Sequence, residues 1–239
     1  MKLLDLTLDS PEENLALDDA LLEEAEAGRQ QADVLRLWEA SRPAVIIGRS
    51  SRYEQEVDYD FCEQHSIPIL RRCSGGASVV IGPGCLMYSV VLAYKQWPQL
   101  RMVDATHQFV LGKVATAVRQ LVPNSRLQGT SDLTIDGRKF SGNSLRCKRD
   151  HLLYHGTLLC DFDLSLITAA LRTPPRQPEY RDGRTHAAFL TNLKVQAPRL
   201  RAELQNVWRA KQQLDAWPQE AVRTLVAERY ELESWNCQR

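Results

Sequence analysis

Residues 131–143 read SDLTIDGRKFSGN, and this stretch predicts a β-hairpin. Its Asp136-Gly137 pair lies between two short runs in which apolar and polar residues alternate. An Asp-Gly pair in that setting predicts a two-residue β-turn, because both residues tolerate a positive φ. The turn sets the strand register. The predicted pairs are Ile135 with Arg138, Thr134 with Lys139, Leu133 with Phe140, and Asp132 with Ser141.

This register divides the hairpin side chains between two faces, because side chains alternate across a sheet. The apolar face takes Leu133, Ile135 and Phe140. The polar face takes Asp132, Thr134, Lys139, Ser141 and Asn143. In the simpler interpretation the polar face only meets water. In the functional one, Lys139 projects into a site where negative charge develops, because an ammonium on a rigid strand is preorganised to stabilise it. Gly142 lets a ligand approach the backbone closely.

The segments around the hairpin predict an α+β fold. Further strand-like runs are 34–38, 44–48, 67–72, 78–81, 86–93 and 152–159. Helical patterns cover 10–28, 107–122, 163–171 and most of 200–230. The first of these helices begins with a serine cap, a proline and Glu13, which is a capping-box pattern. Strands in hairpin-like succession with flanking helices predict a largely antiparallel sheet.

A second polar segment follows one of the predicted strands. Arg71 and Arg72 point to opposite faces there, so we expect no more than one of them to reach a given pocket. The Ser-Gly-Gly run at 74–76 exposes backbone N–H groups and permits positive φ, which suits an anion. An ordinary turn with a surface arginine is the alternative. The segment is not a P-loop, because no Gly-Lys-Ser/Thr closes it.

The composition narrows the class of protein. The 239 residues carry 30 Lys plus Arg and 30 Asp plus Glu, and this neutral balance argues against nucleic acid as the main partner. The apolar runs are far shorter than the roughly 20 residues of a membrane helix, and an early acidic residue argues against a secretory signal. Six scattered cysteines indicate reduced thiols. We therefore expect a cytoplasmic monomer with no membrane partner.

The two polar segments together resemble a known family. RRCSGGASVVIGPGCLMYS at 71–89, SDLTIDGRKFSGNSLR at 131–146 and LLYHGTLL at 152–159 resemble the motifs of the lipoate–protein ligase family. This family belongs to the biotin/lipoate ligase and octanoyltransferase superfamily. The pieces ENLALDDALL, RPAVIIGRS and FLTNL agree with it. The resemblance extends in order from about residue 12 to about residue 193.

The resemblance implies a biotin/lipoate ligase-like catalytic domain, with a mixed, mostly antiparallel sheet flanked by helices. We expect it to cover residues 1–198, with residues 199–239 forming a helical C-terminal tail packed on the same domain. The implied activity uses ATP and Mg²⁺ to activate lipoate or octanoate as an acyl-adenylate. The implied partner is a lipoyl carrier domain, such as glycine cleavage H protein or a 2-oxoacid dehydrogenase subunit, which accepts the acyl group on a lysine.

The resemblance also assigns roles to residues. Lys139 would be catalytic and would bridge the acyl carbonyl and the α-phosphate. The residues implied to bind substrate or adenylate are Arg72, Ser74, Gly75, Gly76, Ala77, Ser131, Asp132, Ser141, Gly142, His155 and Gly156. His155 alone is more typical of a structural residue. No protein-only metal site is expected.

Other activities remain open at this point. Ala77 replaces the family's third glycine, and the run Gly82-Pro83-Gly84 is similar to the octanoyltransferase branch. A transferase taking octanoyl or lipoyl groups from an acyl carrier protein or a lipoyl carrier would need a cysteine nucleophile. Cys147 is the candidate, because basic residues flank it and a regular strand would place it on the Lys139 face. A non-catalytic binder of lipoate or adenylate is the third possibility. A separate accessory subunit is also compatible with the sequence, because the tail offers only one or two helices.

Overall fold

The computed structural model describes residues 1–238. Its strands are β1 (Lys2–Asp5), β2 (Val34–Glu39), β3 (Ala44–Ile47), β4 (Ile69–Arg71), β5 (Val79–Ile81), β6 (Cys85–Ala93), β7 (Arg126–Gln128), β8 (Asp132–Ile135), β9 (Arg138–Cys147), β10 (His151–Leu159) and β11 (Gln212–Gln213). Its α-helices are α1 (Pro11–Glu26), α2 (Tyr53–Glu56), α3 (Tyr59–Gln64), α4 (Val103–Arg119), α5 (Leu164–Ala170), α6 (His186–Phe189), α7 (Ala197–Trp208), α8 (Gln219–Leu225) and α9 (Glu233–Asn236). Short 3₁₀ turns cover Pro98–Arg101 and Glu179–Arg181, and a π-helical turn covers Val226–Tyr230.

The strands form two sheets. The large sheet has the order β11-β1-β2-β6-β10-β9-β8-β7, and the small one has the order β4-β3-β5. Neighbouring strands are antiparallel, except that β1 runs parallel to β2 and β11, and β3 runs parallel to β4. The predicted α+β class, with a mixed and mostly antiparallel sheet flanked by helices, is therefore confirmed.

Both faces of the large sheet are covered, which explains the apolar runs of β6 and β10. On one face α4 and α7 pack through side chains such as Val114 and Leu204. On the other face lie α1 and the small sheet, which contribute Leu17, Leu22 and Ile46 to a second core. The space between the two sheets on this second side holds the candidate site.

Helix α1 begins as the sequence predicts. The Ser10 hydroxyl accepts a hydrogen bond from the backbone N–H of Glu13, and the Glu13 carboxylate accepts one from the backbone N–H of Ser10. The helix ends at Glu26, two residues before the predicted end. Two acidic residues on it, Asp18 and Asp19, are buried. This burial means that α1 brings charge to the space between the sheets.

The hairpin has the predicted turn but not the whole predicted register. Asp136 has φ 50° and Gly137 has φ 71°, and the two pairs next to the turn form as expected. Beyond them a bulge shifts the register, so that Leu133 lies opposite Ser141 and Asp132 opposite Gly142. The predicted pairs Leu133 with Phe140 and Asp132 with Ser141 are therefore wrong by one residue. The extra residue in β9 lets Phe140 stay fully buried while Asp132 remains beside Lys139.

The last forty residues contain more than the predicted helices. After α7, β11 adds a short parallel strand to the edge of the large sheet beside β1. The predicted boundary at residue 198 lies inside α7. Helix α8 and the π-helical turn pack on α1, and α9 packs on β4. Within residues 1–238 no helix combines the length and the apolar character that crossing a bilayer needs.

Candidate active site

Two adjoining cavities lie against β9 and share several lining residues. The larger has a volume of about 450 Å³ and a wall of apolar side chains from α1 and both sheets. These apolar residues are Leu15, Trp38, Ile46, Val79 and Met87. The smaller has a volume of about 120 Å³, and its largely apolar lining also carries the cationic side chains of Arg172, Arg176 and Arg181. Lys139 and Gly142 line both cavities, so the two cavities meet at Lys139.

An acidic partner and a tyrosine fix the position of Lys139. The Lys139 Nζ atom lies 2.8 Å from Oδ1 of Asp132. The Tyr180 hydroxyl donates a hydrogen bond of 2.6 Å to the other oxygen of Asp132. Burial and the charge of Asp132 raise the pKa of Tyr180, so its hydroxyl keeps the proton that it donates. Gly142 leaves the space for the lysine, because a Cβ added there would lie 3.1 Å from Nζ.

The Arg72 side chain holds the Ser-Gly-Gly loop in place through hydrogen bonds. Its guanidinium donates to the backbone carbonyls of Ile46, Gly75 and Ala77 and to the hydroxyl of Ser74. Burial lowers the pKa of Arg72 to about 10, so it stays charged at neutral pH. Arg72 therefore acts mainly through the backbone of its own loop.

The same loop leaves backbone donors without partners. Within the described chain, the N–H groups of Gly75, Gly76 and Ala77 donate no hydrogen bond. Gly76 has φ 87°, a conformation that few residues other than glycine adopt. Successive unpaired backbone N–H groups are suited to an anion, and Gly76 and Ala77 line the larger cavity.

His155 connects this loop to α1. Its Nε2 lies 2.5 Å from the Ser74 hydroxyl oxygen, and its Nδ1 lies 3.3 Å from Oδ2 of Asp18. The other oxygen of Asp18 accepts hydrogen bonds from Arg36 at 2.7 Å and from Ser89 at 2.9 Å. Burial raises the pKa of Asp18, but Arg36 and His155 outweigh it and hold that pKa below its ordinary value. Asp18 is therefore a carboxylate at neutral pH.

Asn143 explains why a glycine follows His155. Its side chain donates to the backbone carbonyl of Ser131 at 2.8 Å and accepts from the Tyr88 hydroxyl at 2.5 Å. A Cβ at Gly156 would lie 1.8 Å from the Asn143 side-chain oxygen. The glycine thus leaves room for the Asn143 amide to lie over β10, where it reaches Tyr88 and also binds the backbone just before Asp132.

We call residues 173–186, which contain Arg176, Arg181 and Arg184, the arginine loop. Arg176 lines both cavities, and Arg181 lines the smaller one. Arg184 donates to the carbonyl of Gly137, at the turn of the β8–β9 hairpin. The loop therefore lies over the hairpin and beside Lys139.

None of the cysteines, which all lie within residues 1–238, lines either cavity. Cys73 and Cys85 are buried, and burial raises the pKa of both thiols. Cys147 is exposed at the far end of β9, where it lies beside Tyr94. The expectation that it shares the Lys139 face is wrong, because the bulge makes β9 irregular between the two residues.

Most of the sequence-predicted site residues come together. Those that line the cavities are Arg72, Gly76, Ala77, Ser131, Asp132, Lys139, Ser141, Gly142, His155 and Gly156. Ser74 and Gly75 adjoin this lining, Ser74 through its bond to His155. The sequence reasoning missed Asp18, Thr157 and Tyr180 as lining or contacting residues. Asp18 had a signal, since it lies on the same helical face as Leu15 and Leu22. Tyr180 had none, because its contact is with a strand 48 residues away.

Comparison with known proteins identifies the family of the chain. The family model described as "Lipoyl protein ligase A/B catalytic domain" matches residues 10–210. The lipoate-protein ligase LplJ of Bacillus subtilis is 28% identical over 167 residues, which are 69% of this chain and 47% of that protein. The octanoyltransferase LipM of Geobacillus kaustophilus is 22% identical, with 96% of this chain and 95% of that protein covered. The chain spans about half the length of the first lipoate ligases that it matches.

Solved structures share the fold. The Thermoplasma acidophilum chain described as a bi-partite lipoate protein ligase with its E2 lipoyl domain has a TM-score of 0.83 at 23% identity. That match covers 100% of this chain and 97% of the other. A lipoate-protein ligase A bound with ATP has a TM-score of 0.81 at 23% identity, with 99% and 98% covered. At these identities the likeness shows the fold.

Proposed function

The chain belongs to the family of lipoyl protein ligase A/B catalytic domains, and we propose that it is an ATP-dependent lipoate–protein ligase. In the proposed reaction, lipoate or octanoate reacts with ATP to give an acyl-adenylate and pyrophosphate. The amine of a carrier lysine then displaces AMP. The observation that carries the proposal is the position of Lys139, where the two cavities meet between an apolar wall and the side chains of Asp132 and Arg176.

The larger cavity suits a short acyl chain. Its volume of about 450 Å³ is within the usual range for small-molecule pockets. Trp38, Ile46 and Met87 offer an apolar wall, and each buried methylene of a chain contributes about 0.8 kcal/mol. Lipoate and octanoate both present such a chain with a carboxylate at one end, so both are proposed substrates.

Lys139 supplies the electrostatic part of the proposed chemistry. A carboxylate does not react with an amine at neutral pH until one of its oxygens becomes a good leaving group, and adenylation provides that group. An ammonium held between the acyl carbonyl and the α-phosphate stabilises the charge that develops in both steps. No nucleophilic side chain is needed for this route.

The phosphates would lie near the loop and the arginines. The unpaired N–H groups of Gly76 and Ala77 and the guanidinium of Arg176 border the larger cavity and are the proposed phosphate contacts. A related ligase is described as bound with ATP, which supports ATP as the nucleotide.

Mg²⁺ fits the site through Asp132. Magnesium is usually bound by one or two carboxylates together with substrate phosphates, and Asp132 offers a carboxylate on the cavity wall. Throughout the described residues no group of three or more His, Cys, Asp or Glu side chains could hold a metal by itself. When bound with the nucleotide, the ion would neutralise phosphate charge.

The proposed acceptor is a lysine on a lipoyl carrier domain, such as an H protein-like carrier or a 2-oxoacid dehydrogenase subunit. The Thermoplasma neighbour is described with an E2 lipoyl domain and as bi-partite, which supports a carrier of this kind and a separate accessory subunit. Two exposed cations, Arg176 in the arginine loop and Arg172 beside it, are the proposed contact for an acidic carrier surface.

Octanoyl transfer from a thioester donor is the second candidate. The likeness to octanoyltransferase LipM over nearly the whole chain favours it, as does the Gly82-Pro83-Gly84 run. A cysteine mechanism has weaker support, because Cys147 lies outside both cavities and burial raises the pKa of Cys73 and Cys85.

One experiment separates the candidates. The protein is incubated with ATP, Mg²⁺ and lipoate, and pyrophosphate release is measured. We expect release in the wild type, a loss of about 10²–10³-fold in Lys139→Ala, and no change in Lys95→Ala, an exposed lysine outside the cavities. Transfer from octanoyl carrier protein without pyrophosphate would identify a transferase. If the protein catalyses neither reaction, the remaining candidate is a non-catalytic binder. Transfer without pyrophosphate release and the absence of both reactions would each overturn the ligase proposal.

A further inference from the structure

Asp18 and His155 line the larger cavity, and Ser74 adjoins it through its contact with His155. No step of the proposed ligase reaction uses the chain of contacts that joins these three side chains. The Ser74 hydroxyl lies 2.5 Å from Nε2 of His155, and the opposite ring nitrogen lies 3.3 Å from the Asp18 carboxylate. All three are at least nine-tenths buried. A serine, a histidine and an acid in this order form the arrangement of a nucleophilic triad, which is recognised by geometry and roles and not by sequence order.

We propose that Ser74 is a nucleophile, activated by His155 and Asp18, which takes an acyl group from a thioester without ATP and holds it as an acyl-serine. The choice of a short-chain acyl group rests on the proposed function, because the same apolar cavity would hold the chain. The triad itself rests on independent geometry.

The hydrogen-bond partners fix the direction of the proton relay. Asp18 is a carboxylate and can only accept, so the Nδ1 atom of His155 carries the ring proton. The Nε2 atom is then the acceptor for the proton of Ser74. Arg72 donates to the same serine oxygen at 3.1 Å, which favours negative charge on that oxygen as its proton leaves.

Donors for the developing oxyanion lie next to the serine. The backbone N–H groups of Gly75 and Gly76, directly after Ser74, donate to no group in residues 1–238. The carbonyls of the same two residues are bound by Arg72, Ser144 and Ser51. The loop is thus held by its carbonyls, while its N–H groups remain available. Backbone donors that follow a nucleophile are a common form of oxyanion hole.

The proposed step balances without a co-reactant. The Ser74 oxygen forms a bond to the thioester carbonyl carbon, and the carbon–sulfur bond breaks. His155 takes the serine proton and gives it to the leaving thiolate. A carrier lysine amine then attacks the serine ester, the carbon–oxygen bond breaks, and a proton returns to Ser74. The products are a thiol and an amide.

The test uses the full chain with octanoyl-N-acetylcysteamine thioester, in the absence of ATP and in the presence of EDTA. Intact-protein mass spectrometry and peptide mapping should show one octanoyl group on Ser74, with release of one thiol per protein. Ser74→Ala and His155→Asn should lower the rate of thiol release by about 10³–10⁴-fold. Ser74→Cys should retain a covalent adduct, which a purely structural serine would not predict. Cys147→Ser should leave the adduct unchanged.

Pyrophosphate release is measured in parallel on every variant, together with thermal unfolding to show that each one is folded. The acyl-serine proposal is overturned if the octanoyl group is found on another residue, or if a wild type that releases pyrophosphate carries no octanoyl group. Both outcomes leave the ligase proposal standing. An adduct on Ser74 in a protein that never releases pyrophosphate supports the triad and overturns the ligase proposal.

Discussion

Lys139 and Asp132, on neighbouring strands of one hairpin, form an ion pair in which Nζ lies 2.8 Å from Oδ1. The pair forms across a β-bulge, because Asp132 lies opposite Gly142 and not opposite Ser141. This register places the bare Cα of Gly142 beside the lysine chain. The position of the Lys139 ammonium therefore depends on Asp132 and Gly142, and the β-bulge in β9 sets how these residues lie relative to one another.

Gly142→Ala should reduce activity more than stability. The added Cβ would lie 3.1 Å from both Cε and Nζ of Lys139, so the ammonium must move by a few tenths of an ångström. Small displacements of a catalytic group can lower rates by up to about 10²-fold, and we expect a loss between about tenfold and 100-fold in pyrophosphate release. Gly112→Ala is the matched control, because a Cβ there meets nothing within 4 Å inside α4. It should keep full activity and gain about 0.5–1 kcal/mol. Equal activity in the two variants would contradict the assigned role of Lys139.

Asp18→Asn should destabilise the fold. The change removes the charged partner of Arg36, whose side chain is fully buried. Breaking a buried pair in this way costs about 3–5 kcal/mol, because the remaining charge is left uncompensated. Asp215→Asn is the control, since that carboxylate pairs with Lys2 on the surface with 92% of its side chain exposed. It should change the free energy of unfolding by less than about 0.5 kcal/mol. Urea unfolding measures both, and a small effect of Asp18→Asn would argue against the buried network.

The same residue should affect acid stability. The pKa of Asp18 is lower in the folded protein than its ordinary value, so the carboxylate contributes stability above the unfolded-state pKa of about 4. That contribution is lost as the pH falls from about 4 through the folded-state pKa. The free energy of unfolding should therefore fall more steeply over this window in the wild type than in Asp18→Asn. Parallel curves for the two proteins would show that Asp18 does not carry the effect.

Cysteine labelling should separate Cys147 from the buried thiols. Burial raises the pKa of Cys62 and of Cys160 to about 11 each, and it also raises those of Cys73 and Cys85. Exposed Cys147 should react first with iodoacetamide at pH 8, as read by peptide mass spectrometry. Cys147→Ser should keep acyl transfer within about twofold of the wild type, since this thiol lies outside both cavities. A variant that loses transfer but still folds would restore the cysteine mechanism.

Carrier turnover should weaken with salt. If the arginine loop attracts an acidic carrier, kcat/KM for the carrier should fall several-fold as ionic strength rises from about 10 mM to 150 mM, because the screening length shortens from about 30 Å to 8 Å. Arg172→Gln, which changes an exposed cation beside the loop, should flatten this dependence. Arg101→Gln, beside Tyr94 and away from both cavities, should not. A flat response in the wild type would argue against electrostatic docking.

The predictions that held are those with a local cause. The Asp136-Gly137 turn and the capping box at Ser10 each depend on residues within a few positions of one another. The strands β6 and β10 were also predictable, since each carries apolar residues that are buried on both faces of the sheet. Local chemistry was enough for these elements.

The predictions that failed depended on distant contacts. The bulge in β9 arises where the burial of Phe140 competes with the pairing of Asp132 and Lys139, and no short pattern weighs one against the other. Strand β11 consists of two polar residues that pair with β1 from the other end of the chain. The predicted face of Cys147 was wrong because this bulge changes the alternation of side chains along β9.

The sequence by itself determined the hairpin turn, the helix starts, the α+β class and the three motifs that resemble the family, because each is encoded in neighbouring residues. Only the tertiary structure decided that Asp18 reaches His155, that Tyr180 binds Asp132, and that the Ser-Gly-Gly loop keeps unpaired N–H groups on a cavity wall. These contacts join residues 48 to 137 positions apart. They exist because two sheets and a helix close on one space, and packing of that kind has no signature in a linear pattern.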